Sequence, residues 1–248
     1  GPATPDELAE RAQTDDPTGR LLHKLLSYRN RYSDLIRRDF PPHWRRATGY
    51  SLDQFLKPDD EFNPARMIVS SEGTLATTLQ LTFNLVPLPK RTGLVLLQFD
   101  ELVAAMEATP AILETEPSAI ELMDRMLINL TRDQPLYASQ ISFIAGDPAA
   151  LLAVEYYGEN ESEVASKTQR LLEHLRKRGV RLMTEPQVVL DPAQQAKVWS
   201  VRKAGLGLLM SVKGDAKPIP VIEDVSVPVD HLPEFVGAVE EMVARYDT

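Results

Sequence analysis

Residues 91–248 alternate short apolar runs with amphipathic helices that carry their own start and stop signals. That alternation constrains the chain to a mixed α and β domain, because each apolar face must be buried against an element of another kind. The clearest unit follows Asn160, a helix cap with Glu163 three residues on. Val164, Thr168, Leu171, Leu172 and Leu175 recur on one face. Arg176, Lys177 and Arg178 fill the last turn, where positive charge suits the helix dipole, and Gly179 ends it.

Around this helix the pattern predicts further elements. Gly93–Phe99 and Leu151–Tyr157 read as apolar strands, with shorter strands at Val180–Met183 and Ile219–Val227. Asp100 is placed to cap a helix running to about Ala108. Pro117-Ser118 is read as opening a second helix, with Ile120, Met123, Leu127 and Leu130 on its apolar face. Asp191-Pro192 starts another helix, with proline in the first helical position. Asp230 is read as the cap of a last one, with Leu232, Phe235, Val236, Val239 and Val243 inward. This order allows a parallel sheet. It equally allows an antiparallel sheet with helices on one face.

The first third differs. Leu21, Leu22, Leu25 and Leu26, then Tyr28, Tyr32 and Ile36, recur with helical spacing until Pro41-Pro42 stops them. From Leu75 the period changes to two. Leu75, Thr77, Leu79, Leu81, Phe83 and Leu85 predict a strand with one buried face, ended by Pro87 and Pro89. A domain boundary is expected there, giving segments 1–89 and 90–248.

Composition excludes several classes. With 248 residues the chain can bury a proper core in one large or two small domains. A net charge of -9 without a basic cluster speaks against nucleic-acid binding. No cysteine is present, so disulfides, thiolate chemistry and cysteine-held zinc or iron–sulfur sites have no ligands within these residues. No apolar run approaches the ~20 residues of a membrane helix. The cytoplasm is the default compartment, with membrane association only through partners. Glycine-rich phosphate loops, Gly-x-Ser-x-Gly and metal-ligand histidine pairs are missing. His23, His43, His174 and His231 are isolated and read as structural or surface residues. Glu223-Asp224 are neighbours on an expected strand and so face opposite ways, a poor acid/base pair.

Three segments carry more specific information. The first is Arg45-Arg46-Ala47-Thr48-Gly49-Tyr50-Ser51-Leu52. The second runs from Asn63-Pro64-Ala65-Arg66 through Ser71-Glu72-Gly73-Thr74-Leu75 to Leu85-Val86-Pro87. The third is Trp199-Ser200-Val201-Arg202-Lys203-Ala204-Gly205-Leu206-Gly207-Leu208-Leu209, followed by Lys213-Gly214-Asp215-Ala216-Lys217-Pro218 and Glu223-Asp224.

In this order and spacing the chain resembles the FAD-linked oxidases of the vanillyl-alcohol oxidase type, nearest to D-lactate, glycolate and D-2-hydroxyglutarate dehydrogenases. The third segment is most similar to long bacterial versions fused to an iron–sulfur part. The resemblance implies an α+β chain. The C-terminal part of the FAD-binding domain would occupy 1–89. A substrate (cap) domain with an antiparallel sheet and helices on one face would occupy 90–248. It implies a parent enzyme that oxidises a small 2-hydroxy acid by hydride transfer to flavin, with the electron acceptor left open. Ser71, Glu72, Gly73, Thr74 and Leu75 would lie against the flavin, where glycine lets backbone approach closely. Arg202 and Lys217, fifteen positions apart, would hold the substrate carboxylate, the arginine fork giving two parallel donors and the lysine a point charge. Lys213 competes for the lysine role. Where the family usually has glycine, Ser70 and Ala76 stand, and Leu79-Gln80 replace a Thr-Glu pair.

The family's pyrophosphate loop and its later histidine motif do not occur here, so no catalytic base and no metal ligand is assigned. The chain is expected to be an internal segment, inactive alone and free of flavin, with any iron–sulfur cluster outside it. The alternative is a non-catalytic cap or interaction module.

Overall fold

The structure, a computed structural model, describes residues 4–41, 49–58, 62–212, 214 and 225–246. It divides between Leu85 and Val86 into two units, the first also taking in Val225 and Ser226.

In the first unit, helix α1 (Pro5–Arg11) starts from a capping box: Thr4 Oγ1 accepts from the Glu7 N–H at 3.3 Å, and Glu7 Oε2 accepts from the Thr4 N–H at 2.8 Å. Helix α2 (Pro17–Asp39) is capped by Asp16, whose Oδ1 accepts from the Thr18 and Gly19 N–H groups at 2.8 and 3.0 Å. Phe40 leaves the helix in extended conformation ahead of Pro41, as a residue before proline must. Leu22 and Ile36 of the expected apolar stripe are buried with Leu8, Phe55 and Phe62, whereas Leu21, Tyr28 and Tyr32 stay exposed. Two 3-10 turns, Leu52–Leu56 and Pro64–Met67, close this small core.

The strand expected over 75–85 does not form among the described residues. Residues 75–89 have no ladder partner, and Leu79, Leu81, Phe83 and Leu85 are exposed. Alternation prepares a buried face, but a strand exists only where another strand accepts its hydrogen bonds.

The second unit is built on strand β1 (Arg91–Phe99), buried from Gly93 to Phe99. Helix α3 (Leu102–Leu113) follows, starting after Glu101 rather than Asp100 and continuing through Pro110. Next come strand β2 (Ala119–Asp124), helices α4 (Arg125–Arg132) and α5 (Pro135–Ala138), and strand β3 (Ala150–Gly158). Helix α6 (Glu161–Arg178), strand β4 (Gln187–Val189), helix α7 (Pro192–Met210) and helix α8 (Leu232–Tyr246) complete it. The sheet is antiparallel throughout, in the order β2-β3-β1-β4, as the resemblance implies.

Alternation along the strands makes two cores. Val95, Leu97, Phe99, Leu152, Val154 and Tyr156 face α3 and α6. Leu94, Leu96, Leu151, Ala153 and Met123 face α4 and α7. Helices therefore cover both faces, which corrects the expectation of one. β1 and β3 are apolar on both sides, and each such side chain contributes ~1.5–3 kcal/mol by burial. At the α6 face, Val164 closes over Gly93, where an added Cβ would lie 2.4 Å from Val164 Cγ1.

Helix α6 matches its expected bounds. Asn160 Oδ1 accepts from the Glu163 N–H at 2.9 Å, and Gly179 takes the left-handed conformation at φ 68°. Other elements differ. Residues expected to begin a helix at Pro117-Ser118 form β2 first, because Ala119–Asp124 pair along β3, and Asp124 then caps α4. Residues 180–183 form no strand. Met183 N–H donates to Gln98 O at 2.8 Å, and the paired strand comes later as β4. Of the expected Ile219–Val227 strand, 219–224 lie outside the described residues and 225–227 are irregular. Asp230 sits in a 3-10 turn before α8, where Leu232 and Val236 pack on the core while Phe235, Val239 and Val243 remain exposed. No helix among the described residues is long and apolar enough to cross a membrane.

Candidate active site

Helix α7 carries the Trp199-x-x-Arg202 segment, and its start is held rigidly. Asp191 Oδ1 accepts from the Gln194 N–H at 2.8 Å, with Pro192 in the first position. One turn on, buried Gln195 ties the helix to two strands. Its Nε2 donates to the carbonyls of Thr92, Val189 and Leu190 at 2.9, 3.1 and 3.1 Å, and its Oε1 accepts from Thr92 Oγ1 at 2.6 Å. Val198, Val201 and Leu208 bury α7 against the sheet, and Trp199 packs at the margin of the same core.

Arg202 stands at that margin. Its Nε donates to Glu121 Oε2 at 2.9 Å. Its two terminal nitrogens make no hydrogen bond among the described residues. Glu121 lies on β2 opposite Ala153, and Glu155 on β3 opposite Ala119, so the two carboxylates are diagonal neighbours on one face. Tyr157, two residues along β3, shares that face. Burial pushes the Glu155 carboxyl above its ordinary value. The Tyr157 hydroxyl and Trp199 indole act against the rise, and the Glu121 charge adds to it. Burial also raises the Tyr157 hydroxyl, with the Glu155 charge in the same direction. The cluster thus combines a fixed cation with spare donors, an aromatic wall and a carboxyl that burial pushes above its ordinary value. It suits an anion with an adjoining polar carbon better than it suits a metal. Among the described residues no group of three His, Asp or Glu could hold a metal ion.

In the first unit, Ser71–Leu75 begin a tight turn. Ser70, Glu72 and Gly73 adopt φ of 65°, 51° and 76°, a cluster of left-handed residues of which only glycine is at ease. Thr74 locks the turn: its N–H and Oγ1 both donate to Ser71 O, at 2.9 and 2.6 Å. Tyr50 of the Gly49-Tyr50 segment meets Thr74 Oγ1 through its hydroxyl at 2.9 Å. Two of the three motifs therefore come together. Ser71 is buried and its Oγ has no hydrogen-bond partner among the described residues. The Glu72 and Gly73 amides donate to nothing among the described residues, and a Cβ on Gly73 would meet nothing within 4 Å. An open glycine, two spare amides and an orphaned hydroxyl fit the edge of a polar planar cofactor. Leu75 is exposed beside them.

Lys217 lies outside the described residues, as do Lys213, Glu223 and Asp224. His174 Nε2 is 2.8 Å from Glu114 Oε2, and Arg178 also pairs with Glu114, whose carboxyl it holds down. This network ties α6 to the end of α3. Sequence reasoning missed Glu121, Glu155, Tyr157 and Gln195. The available signal was a lone carboxylate inside an apolar run, Ala153-Val154-Glu155-Tyr156.

Fold and site define an α+β domain, antiparallel sheet between helix layers, with a cation–carboxylate cluster beneath its last sheet-packed helix. Residues 88–248 match the FAD linked oxidases, C-terminal domain, and the chain belongs to that family. It is 31% identical over 245 residues to a D-2-hydroxyglutarate dehydrogenase of Pantoea ananatis, covering 94% of this chain and 24% of that protein. A D-2-hydroxyglutarate dehydrogenase of Escherichia coli is 30% identical over 242 residues, again with 94% and 24% covered. The glycolate oxidase subunit GlcD of Bacillus subtilis is 23% identical over 188 residues, covering 75% of this chain and 37% of that protein. The chain spans about a quarter of the length of the dehydrogenases it matches. The family is FAD-linked, and its named relatives act on 2-hydroxy acids.

Proposed function

We propose that the parent protein is an FAD-dependent dehydrogenase of a small 2-hydroxy acid, of the D-2-hydroxyglutarate, glycolate or D-lactate type. The observation that carries this reading is Arg202. It sits in the Trp-x-x-Arg segment, is held through Nε alone, and keeps two terminal nitrogens for a carboxylate. Lys217 adds a second cation to the same ligand. FAD, when bound, supplies the hydride acceptor. Residues Ser71–Leu75 would line it, with the Glu72 and Gly73 amides meeting its polar atoms. Residues 1–89 are assigned to the end of the FAD-binding domain and 90–248 to the substrate domain. The unpaired run 75–88 supports that assignment, since its apolar residues need a further sheet to cover them. Residues 1–248 alone are assigned no flavin and no turnover. Any iron–sulfur cluster of a fused protein would take its cysteines from elsewhere, because none is present here.

The test is anaerobic reduction of the full-length flavoprotein, followed near 450 nm, with D-2-hydroxyglutarate, glycolate and D-lactate. At least one should bleach the flavin. Arg202→Ala should raise KM roughly 10- to 100-fold, the effect of losing a charge-assisted hydrogen-bond pair. Absence of bleaching with all three acids, or an unchanged KM in the variant, rejects the reading.

A further inference from the structure

We infer that Glu121 is the positioning residue for Arg202, fixing the guanidinium through Nε and reserving its terminal nitrogens for the ligand carboxylate. This rests on the reading of Arg202 given above. A guanidinium can take a carboxylate side-on, through Nε and one terminal nitrogen, or end-on, through both terminal nitrogens. Glu121 Oε2 occupies Nε at 2.9 Å, which removes the side-on mode and leaves the end-on one.

The two side chains differ in how firmly they are held. Glu121 stands in the middle of β2, with Ala119–Asp124 registered along β3 from Glu155 to Ala150. Arg202 projects from α7 on a long flexible stem. Freezing such a stem at the moment of binding costs affinity, and an acceptor that freezes it beforehand removes that cost. The pair has little value as a fold-stabilising bridge. Its side chains keep 45% and 37% of their exposure, so solvent screens the attraction. Orientation is what remains.

Oxalate, a non-reacting carboxylate, tests this in the oxidised full-length flavoprotein, with binding followed through the flavin absorbance. Glu121→Ala should weaken oxalate binding roughly three- to tenfold, the cost of immobilising one long side chain. It should raise KM for the reacting 2-hydroxy acid by the same factor, with the limiting rate of flavin reduction within twofold. Glu121→Gln keeps an oxygen acceptor for Nε and should stay within about twofold of the parent in both measurements. A crystal structure of Glu121→Ala should show the Arg202 guanidinium displaced, whereas in Glu121→Gln it keeps its place. Tighter oxalate binding in Glu121→Ala would make Glu121 a competitor of the ligand and overturn the inference. Unchanged binding, or Glu121→Gln as impaired as Glu121→Ala, overturns it equally. Arg202→Ala separates the two levels. If it leaves oxalate binding unchanged, the reading of Arg202 falls and this inference with it. If it weakens binding while Glu121→Ala does not, only the positioning role falls.

Discussion

Strand β1 and the run Leu75–Leu85 are both rich in leucine, and they end in opposite environments. Along β1, Leu94 and Leu96 are buried on one face and Leu97 on the other, each face under its own layer of helices. Along the run, Leu79 is 94% exposed and Leu85 91%. Neither propensity nor hydrophobicity explains the difference. β1 has ladder partners on both edges, β3 and β4, whereas the run has none among the described residues. An apolar period of two is a capacity for pairing, and a partner must be present to realise it.

The sharpest way to break this comparison is a pair of truncations. Leu97→Ala should destabilise the chain by ~2–5 kcal/mol, as for a leucine removed from a closed core. Leu79→Ala should change stability by less than about 0.5 kcal/mol. Urea midpoints of the two variants check both, and comparable losses would mean that the run is covered after all. A smaller effect probes how closely β1 is sealed. Gly93→Ala places a methyl against Val164 Cγ1 and Leu190 Cδ2, and overpacking of this kind costs ~1–3 kcal/mol. A neutral or stabilising outcome in thermal melts would show that α6 can lift from the sheet without penalty.

The smallest effect is one of pH. Glu155 belongs to the sheet yet carries a carboxyl whose folded value is raised, chiefly by burial. The folded state therefore binds this proton more tightly than the unfolded state. The resulting stability is fully present below the ordinary value of 4.5 and is lost as pH rises through the raised one. Glu155→Gln lacks this titration. Relative to the parent it should gain stability from pH 4 to pH 7, measured as the difference between urea midpoints at each pH. A difference that stays flat, or falls with pH, would place Glu155 in a solvated environment like that of the exposed run.

Much of the second unit was legible without coordinates wherever the signals are local. Helix α6 follows from Asn160, Glu163 and Gly179, each acting on backbone groups within one turn. Helix α7 follows from Asp191-Pro192 in the same way. Residues 117–130 were misread because Ile120, Met123, Leu127 and Leu130 have helical spacing. Pairing of Ala119–Asp124 with β3 outweighs that spacing and sends Ile120 and Met123 to opposite cores. The site divides along the same line. Arg202 and the Ser71–Leu75 turn were visible as motifs, and the turn's link to Tyr50 joins two of them. Glu121 and Glu155 carried no motif.

By itself the sequence determined the bounds of α6, the start of α7, which runs are apolar, the lack of cysteine chemistry and the family, because caps, periods and motifs act over a few residues. Tertiary structure decided which runs became strands, that helices cover both faces, that Glu121 meets Arg202 and that Glu155 lies diagonal to Glu121. Those outcomes depend on residues 34 to 81 positions apart being brought side by side, and no local rule encodes that pairing.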